Sequence, residues 1–493
     1  MPFDGSLSDF VHSLLKQNCG AILIVNGSSR RYDPKMARRF VNVDRDTPML
    51  FPPDMRDWVR KDDMVHFVIE AVEQMDLRVA RVNERGSGSE QYPPSMMTAL
   101  LIYCYAHGIF SSRKIETASY RDVAVRYLTG DTHPDHDTIA TFRRRNRELF
   151  EQCFVQVLAM AGEVGVLQVG TVSIDGTKLA ANASKYKSVS YKRCEELLPL
   201  LEEKVQELVE QAEQVDGTES DAGDRLPEEL ARHEKLKAKL ARAKAVLEER
   251  AKAKAVAERP AYEAKVEARN KRQGSSKGCH IKPPRQQPQP TDQINLTDED
   301  SGLMRASKNS PYIQGYNAQA VVDADGSQLV VGARVSTCAS DRNQLTGDLE
   351  AIPPQLGKPA AILLDTGYEN MDQIGQVEQS GATVYCSMGQ EREHHQPRYD
   401  FKPQKEKKPV AIKDPRRQAM ANVMATETAR AIYRKRKQTV EPVFGIIKEV
   451  LGFRRFHLRG LPKVETEWQL VCLSYNFKRL FNLINNETAV SIA

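Results

Sequence analysis

Two aspartates in this chain stand directly after short apolar runs. Asp175 follows Thr171-Val172-Ser173-Ile174, and Asp365 follows Ile362-Leu363-Leu364. Apolar runs of this length are typical of buried strands, and ligands of α/β proteins collect at the carboxyl ends of strands. If the two strands are neighbours, both carboxylates are predicted to project into one crevice. An aspartate at a strand end more commonly caps a turn, so neither residue is decisive alone.

Glu441 is the third acidic candidate, between Val440 and Pro442 and seven residues before Lys448. Proline suits the first helical turn, so a helix is predicted to begin at Pro442. Three carboxylates in one crevice would repel one another without a cation. Carboxylate oxygens are the ligands that Mg²⁺ prefers, and two such ions can activate the attacking oxygen and stabilise the leaving oxygen of a phosphodiester. The three residues therefore predict a two-metal site for phosphodiester chemistry.

Basic residues are concentrated in two parts of the chain. Residues 413–463 contain 13 Lys and Arg against 4 Asp and Glu, whereas the whole protein carries a formal charge of +5. A second cluster, Arg143-Arg144-Arg145, lies in the N-terminal third. A single basic run is commonly a solvated helix face. Two clusters together with the acidic candidates favour a polyanion partner, because neutralised phosphates release counterions.

Hydrophobic periodicity indicates the elements that must position these residues. Apolar side chains recur at three- and four-residue spacing over 61–162, so this region is predicted to be all-α, with Asp137 as the N-cap of the helix that carries the arginines. Short helices ending in a basic one resemble a helix-turn-helix DNA-binding module. An ordinary helical bundle is an equal alternative. Residues 1–60 are interpreted as an N-terminal extension with one candidate strand at 21–25.

A charged insertion follows the first strand. Apolar residues from Leu198 to Val215 step by three and four as in a heptad seam, and a second helix rich in Lys, Ala and Leu comes next. Residues 191–260 are therefore predicted to form an antiparallel helical hairpin or a dimerising coiled coil. Residues 261–310 are rich in Gln, Pro, Lys and Ser and are predicted to be a flexible linker.

Further strands are predicted beyond the linker. Tyr316 to Val322 and Gln328 to Ser336 form a hairpin around an aspartate- and glycine-containing turn, followed by strands at 360–364 and 382–386. Helices are predicted at 341–350, 371–379, 414–437, 443–451 and 463–484. This order matches a ribonuclease H-like mixed α/β sheet, with an all-α N-terminal domain and a helical-hairpin insertion after the first strand.

Six segments together resemble the DDE-type transposases of bacterial insertion sequences, in the group with a Y-R-E-K signature. They are Pro134 to Ile139, Ile174 to Lys178, Gly315 to Gln319, Leu364 to Tyr368, Val440 to Gly445 and Gly452 to Phe456. The resemblance implies that Asp175, Asp365 and Glu441 are the catalytic residues and metal ligands. It implies two Mg²⁺ ions as cofactors, with Mn²⁺ able to substitute.

The first half of the signature departs from the family pattern. Glu441 and Lys448 have the expected spacing, but the position of the arginine is held by Lys437. Tyr433 and Arg436 have the right mutual spacing one residue early. Either a one-residue slip is accommodated before Pro442, or Lys437 makes the phosphate contact.

The resemblance implies a DNA transposase that binds terminal inverted repeats, cleaves phosphodiester bonds and transfers the 3′-hydroxyl ends to target DNA. The residues expected to contact DNA are Arg143, Arg144, Arg145, Arg436, Lys437, Lys448, Arg454 and Arg455. Pairing of two ends implies a homodimer on DNA. The alternatives are a catalytically inactive DNA-binding or architectural protein and a metal-dependent nuclease without strand transfer.

Composition excludes several other classes of protein. Hydrophobic residues make up 40% and charged residues 28% of the chain, which excludes a wholly disordered chain, and no apolar window approaches the length of a membrane span. Eight cysteines without a CxxC pair fit a reducing cytoplasm. The resemblance implies a bacterial cell, where DNA would associate the protein with the nucleoid. The predicted domains are 1–60 (extension), 61–162 (DNA-binding), 163–190 with 311–460 (catalytic), 191–260 (insertion), 261–310 (linker) and 461–493 (C-terminal helix).

Overall fold

The computed structural model describes residues 54–82, 91–215, 226–272, 281–305, 309–388, 412 and 414–492. The candidate strand at 21–25, most of the predicted extension and Lys413 lie outside the described residues. The described chain is a mixed α/β structure. None of its helices combines the length and apolar content needed to cross a lipid bilayer.

Six α-helices precede the sheet in the described ranges. They are α1 (Met64–Glu73), α2 (Pro94–Ala106), α3 (Ser112–Arg121), α4 (Val123–Leu128), α5 (His136–Arg145) and α6 (Arg147–Glu163). The predicted helical character of 61–162 is confirmed. The N-cap of α5 is Asp135 rather than Asp137, because the Asp135 carboxylate accepts hydrogen bonds from the backbone N–H groups of Asp137 and Thr138.

The strands in the described ranges are β1 (Thr171–Ala180), β2 (Ser188–Ser190), β3 (Gln293–Asn295), β4 (Gly302–Met304), β5 (Ile313–Asp323), β6 (Val330–Ser336), β7 (Ala361–Leu364) and β8 (Thr383–Cys386). β1, β7 and β8 run parallel. β5 is antiparallel to β1 and carries β4 and β6 on its other edge. The predicted β5–β6 hairpin and the two later strands are confirmed.

The insertion contains two long helices, α7 (Tyr191–Val215) and α8 (Leu226–Arg272). Lys237 pairs with Glu202 and Lys244 with Glu195, so the two helices are antiparallel and the predicted hairpin is confirmed. They share a small core that is separate from the main one, made of Cys194, Leu201, Leu240, Ala243, Leu247 and Ile294.

The flexible linker predicted over 261–310 differs from the structure. α8 continues to Arg272, β3 pairs with β2, and β4 pairs with β5. The Ala, Lys and Glu of 261–272 have high helix propensity. β3 depends on β2, where Asn295 pairs with the distant Ser188, whereas β4 pairs with the nearby β5; local composition reveals neither pairing.

The remaining helices in the described ranges are α9 (Leu345–Glu350), α10 (Met371–Gln379), α11 (Pro415–Ala425), α12 (Glu427–Gly445) and α13 (Leu461–Ile492), with a π-helical turn at Ile446–Val450. α12 packs against β1, β5 and β7, and α13 packs against β6, α2 and α6. Trp468, Leu470 and Leu473 of α13 are fully buried. The N-terminal helices and the sheet therefore share one hydrophobic core, which α13 completes.

Candidate active site

Asp175 and Asp365 lie at the same edge of the parallel part of the sheet. The last pair in the register of β1 and β7 is Ile174 with Leu364, and the next residue of each strand is an aspartate. The two strands are therefore neighbours, which is the condition under which both carboxylates are expected in one crevice. One detail differs, because β1 continues along β5 to Ala180. Asp175 ends the parallel pairing rather than the strand itself.

Glu441 reaches this crevice from α12. Val440, Val443 and Phe444 bury the inner face of the helix, and each buried side chain of this size is worth roughly 1.5–3 kcal/mol. The Glu441 side chain itself is half-exposed. Packing of its neighbours therefore holds Glu441 in place without burying its carboxylate.

The helix runs through Pro442 instead of beginning there, which corrects the sequence prediction. Proline has no backbone N–H, so the carbonyl four residues earlier, that of Gln438, loses its helical partner. The side-chain amide of Gln328, in the β5–β6 turn, donates to that carbonyl at 2.7 Å. This contact replaces the missing hydrogen bond and allows the helix to continue past Glu441.

One guanidinium connects the three acidic side chains. Nη1 of Arg436 lies 3.4 Å from Oδ2 of Asp175, and Nη2 lies 3.8 Å from Oδ1 of Asp365 and 3.4 Å from Oε1 of Glu441. The Arg436 side chain is 7% exposed, against 44% for Asp365 and 51% for Glu441. The cation therefore lies on the inner side of the crevice, and the carboxylates of Asp365 and Glu441 face solvent.

The position of Arg436 accounts for the shifted signature. Lys437 is exposed, and Arg436 contacts the carboxylates in its place. The hydroxyl of Tyr433 donates to the Leu364 carbonyl at 3.0 Å, at the end of β7. The one-residue offset is thus absorbed between Arg436 and Glu441. Arg436 is buried in this conformation, and its contact with DNA stays a prediction.

Asp175 is the most buried of the three carboxyl groups, with a side chain 22% exposed. Burial raises the pKa of Asp175 to about 6, and the nearby Asp365 and Asp341 carboxylates add to the rise. Arg436 and the backbone N–H of Gly176, which donates to Asp175 at 2.7 Å, act in the opposite direction. The crevice therefore disfavours a further negative charge unless a cation is supplied.

Lys448 also lies at this site. Its Nζ donates to the hydroxyl of Thr177, which is two residues after Asp175 and therefore on the same face of β1. Burial lowers the pKa of the Lys448 ammonium. Arg454 and Arg455 are exposed beyond the π-helical turn, where they are accessible to a phosphate backbone.

A fourth carboxylate, Asp341, was missed by the sequence analysis. It accepts hydrogen bonds from Lys178 Nζ at 2.9 Å, Asn317 Nδ2 at 2.6 Å and Gln319 Nε2 at 2.8 Å. Asp341 was assigned to a helix over 341–350, but α9 begins only at Leu345. The signal that could have revealed Asp341 was the set of polar residues within otherwise apolar strands, because buried polar groups require hydrogen-bond partners.

Two family models match the chain. The model of the Transposase DDE domain matches residues 286–477, which include Asp365 and Glu441 but not Asp175. The model of Transposase domain (DUF772) matches residues 53–145. The chain belongs to the DDE-type transposases of insertion sequences. Its mixed sheet is consistent with a DDE domain. No curated protein and no solved structure matches the chain significantly.

The N-terminal basic cluster of the transposase is only partly available for DNA. Arg143 is buried, and its Nη1 donates to the Tyr105 hydroxyl at 2.7 Å and to the Phe110 carbonyl at 3.0 Å. The guanidinium of Arg143 holds α5 against α2 in this structure, and its contact with DNA stays a prediction. Arg144 and Arg145 are exposed on the same helix.

DDE transposases typically use divalent metal ions. The acidic side chains of this transposase fit such ions, because all three supply oxygen ligands and two of them face solvent. In the described part of the chain, no three acidic, histidine or cysteine side chains already converge as a metal site. In this conformation the crevice holds the guanidinium of Arg436 among its carboxylates.

Proposed function

We propose that this transposase binds the terminal inverted repeats of an insertion sequence, cleaves a phosphodiester at each end, and transfers the 3′-hydroxyl ends to target DNA. The observation that carries the proposal is that Asp175, Asp365 and Glu441, from three distant segments, meet around one guanidinium. A protein that only binds DNA has no use for acidic side chains crowded beside its phosphate-binding residues. The alternative of an inactive architectural protein is therefore less well supported.

Asp175, Asp365 and Glu441 would hold two Mg²⁺ ions, for which Mn²⁺ would substitute. Two such ions supply an activated attacking oxygen and stabilise the leaving oxygen. The protein's own contribution is to present deprotonated carboxylates at a fixed spacing. Burial raises the pKa of Asp175 to about 6, so a bound metal would favour loss of its proton.

The basic residues near the crevice would bind the DNA backbone. Lys448 is held against β1 by Thr177, so its ammonium is positioned before DNA arrives. Lys437, Arg454 and Arg455 are exposed near the same end of α12 and would neutralise flanking phosphates. In this arrangement the reacting phosphodiester lies between the carboxylates and the basic side chains.

The N-terminal helices would recognise the repeats through Arg144 and Arg145. Pairing of two ends would require a homodimer, for which the α7–α8 hairpin is a candidate surface. We further infer that the catalytic part, 163–190 with 311–460, is ribonuclease H-like, since β5, β1, β7 and β8 combine antiparallel and parallel pairing in one sheet. Bacterial DNA as the substrate would localise the protein to the cytoplasm, at the nucleoid.

The decisive experiment incubates the full-length protein with a labelled duplex that carries the repeats flanking the gene, with Mg²⁺ or with EDTA. We expect Mg²⁺-dependent nicking at the repeat end and joining of that end to a target duplex. Glu441→Gln and Asp175→Asn should abolish both reactions, whereas Glu350→Gln, a matched change at an exposed residue of α9, should retain them.

Three other results would change the conclusion. Cleavage without joining would favour the metal-dependent nuclease. Specific binding without cleavage under any metal would favour the inactive DNA-binding protein. Full cleavage by Asp175→Asn would remove the assigned site.

A further inference from the structure

Arg436 is the most enclosed charged side chain in the acidic crevice. Its guanidinium lies 3.4–3.8 Å from a carboxylate oxygen of each of the three acidic residues. Charge-assisted hydrogen bonds are normally about 2.7–2.9 Å long. The guanidinium therefore bridges three partners loosely instead of pairing tightly with one.

A second observation supports loose retention. Nε of Arg436 is buried and has no hydrogen-bond partner among the described residues. Buried polar groups generally have a partner, so one donor of Arg436 is left unused in this arrangement. The charges of the carboxylates, and not a complete hydrogen-bond set, hold Arg436 in place.

A guanidinium at this point disfavours a metal ion on the same carboxylates. Divalent ions bound by Asp175, Asp365 and Glu441 would lie within a few ångströms of the guanidinium, and like charges at that distance repel. Metal loading should therefore displace the guanidinium.

We propose that Arg436 is the resident counter-ion of the metal-free crevice and is exchanged for metal when the site is loaded. This inference rests on the proposed function, since it concerns the same three carboxylates. Arg436 is here a positioning residue. It keeps the carboxylates together without metal and lowers their affinity for metal until it withdraws.

The structure also provides a direction for the exchange. Asp365 and Glu441 are the exposed sides of the crevice, and incoming DNA would approach from there with phosphate groups. A phosphate can accept two parallel hydrogen bonds from a guanidinium. DNA and metal should therefore bind cooperatively, and by linkage each should raise the affinity for the other by the same factor.

The test measures Mn²⁺ binding by isothermal titration calorimetry and electron paramagnetic resonance, without any catalytic readout. We expect Arg436→Gln to bind Mn²⁺ roughly 5–150-fold more tightly than wild type in the absence of DNA, the usual range of coupling between sites. Mn²⁺ should also raise the melting temperature of Arg436→Gln more than that of wild type. The matched control is Arg434→Gln, which removes a charge from an exposed position of the same helix and should leave Mn²⁺ affinity within about threefold of wild type.

Equal or weaker Mn²⁺ binding by Arg436→Gln would overturn the proposal, as would an equal gain in Arg434→Gln. If Arg436→Gln does not fold, two measurements replace it. Arg436→Lys keeps one charge but cannot bridge three carboxylates, so its Mn²⁺ affinity should exceed that of wild type. In the wild-type protein, a non-cleavable duplex should raise Mn²⁺ affinity.

The failure of this inference is distinguishable from the failure of the proposed function. Wild-type protein that binds Mn²⁺ through Asp175 and cleaves DNA, but shows no gain in Arg436→Gln, would refute only the counter-ion exchange. Loss of the Asp175 dependence of Mn²⁺ binding would refute the metal site itself, and the exchange with it.

Discussion

Gly176 lies where the acidic crevice and the Asp341 network meet. On β1 it pairs with Gln319 of β5. A Cβ at this position would lie 2.5 Å from Oδ1 of Asp341, 2.5 Å from Nε2 of Gln319 and 2.8 Å from Oδ1 of Asn317. Real Cβ contacts are essentially never that short, so Gly176→Ala must displace the network.

The size of the effect depends on the side chains that the added methyl group displaces. They are Asp341 itself and the side chains of Asn317 and Gln319, which donate hydrogen bonds to its carboxylate. Overpacking of this kind costs about 1–3 kcal/mol. Asp175 is the preceding residue, and a misplacement of about 1 Å in a catalytic group can cost about 100-fold in rate. We expect Gly176→Ala to lose about 1–3 kcal/mol of stability and about 100-fold in cleavage rate.

Stability is measured by urea denaturation, and cleavage by single-turnover kinetics at saturating metal on the repeat duplex. The control is Gly375→Ala in α10, where an added Cβ meets nothing within 4 Å. Alanine is the better helix former by about 1 kcal/mol, so this variant should be as stable as wild type or more stable. Wild-type stability and rate in Gly176→Ala would refute the reasoning, because the network would then have room for a methyl group.

Three further predictions concern other contacts. The double variant Arg144→Gln/Arg145→Gln should reduce the slope of log affinity against log salt for repeat DNA by about 2. Arg143→Gln should instead lose about 1–3 kcal/mol of stability, because it leaves the buried Tyr105 hydroxyl and Phe110 carbonyl unpaired. Equal salt slopes for all variants would contradict this division between DNA-binding and structural arginines. Burial raises the pKa of Asp348 to about 7, so its contribution to stability is full below about pH 4 and is lost as the pH rises to about 7. Asp348→Asn should remove this loss of stability between about pH 4 and about pH 7 in urea denaturation. An unchanged pH profile would show that Asp348 does not cause the loss. Gln328→Ala should lower the urea midpoint by the equivalent of about 1 kcal/mol, because the Gln438 carbonyl loses its hydrogen-bond partner. No change in the midpoint would mean that water replaces the side-chain amide of Gln328.

Much of the fold could be predicted from local sequence. The apolar runs before Asp175 and Asp365 are strands, the three- and four-residue spacing over 61–162 marks helices, and the heptad seam forms one side of a hairpin. Helix and strand periodicities are local properties, so a short window reveals them. The predicted ends of helices were less accurate. A helix was predicted to begin at Pro442, but Gln328 supplies the hydrogen bond that the Gln438 carbonyl would otherwise lack, and these two residues are 110 positions apart in the chain.

The candidate site was predicted in part. The sequence indicated three acidic residues, and the structure brings all three to one guanidinium; their catalytic role stays a prediction. Charge alone could not distinguish Arg143, which is buried, from the exposed Arg144 and Arg145. Asp341 had no local pattern, because its partners lie on other strands.

The sequence by itself determined the order of strands and helices, the acidic candidates and the basic stretches, since each depends on residue type and near-neighbour spacing. Only the tertiary structure decided that Arg436 rather than Lys437 contacts the carboxylates, and that Asp341 joins the site. Arg436 and Asp175 are 261 residues apart in the chain. Such convergence depends on strand register and on how a helix is seated on the sheet. Both are set by packing between distant segments, which no local window of sequence contains.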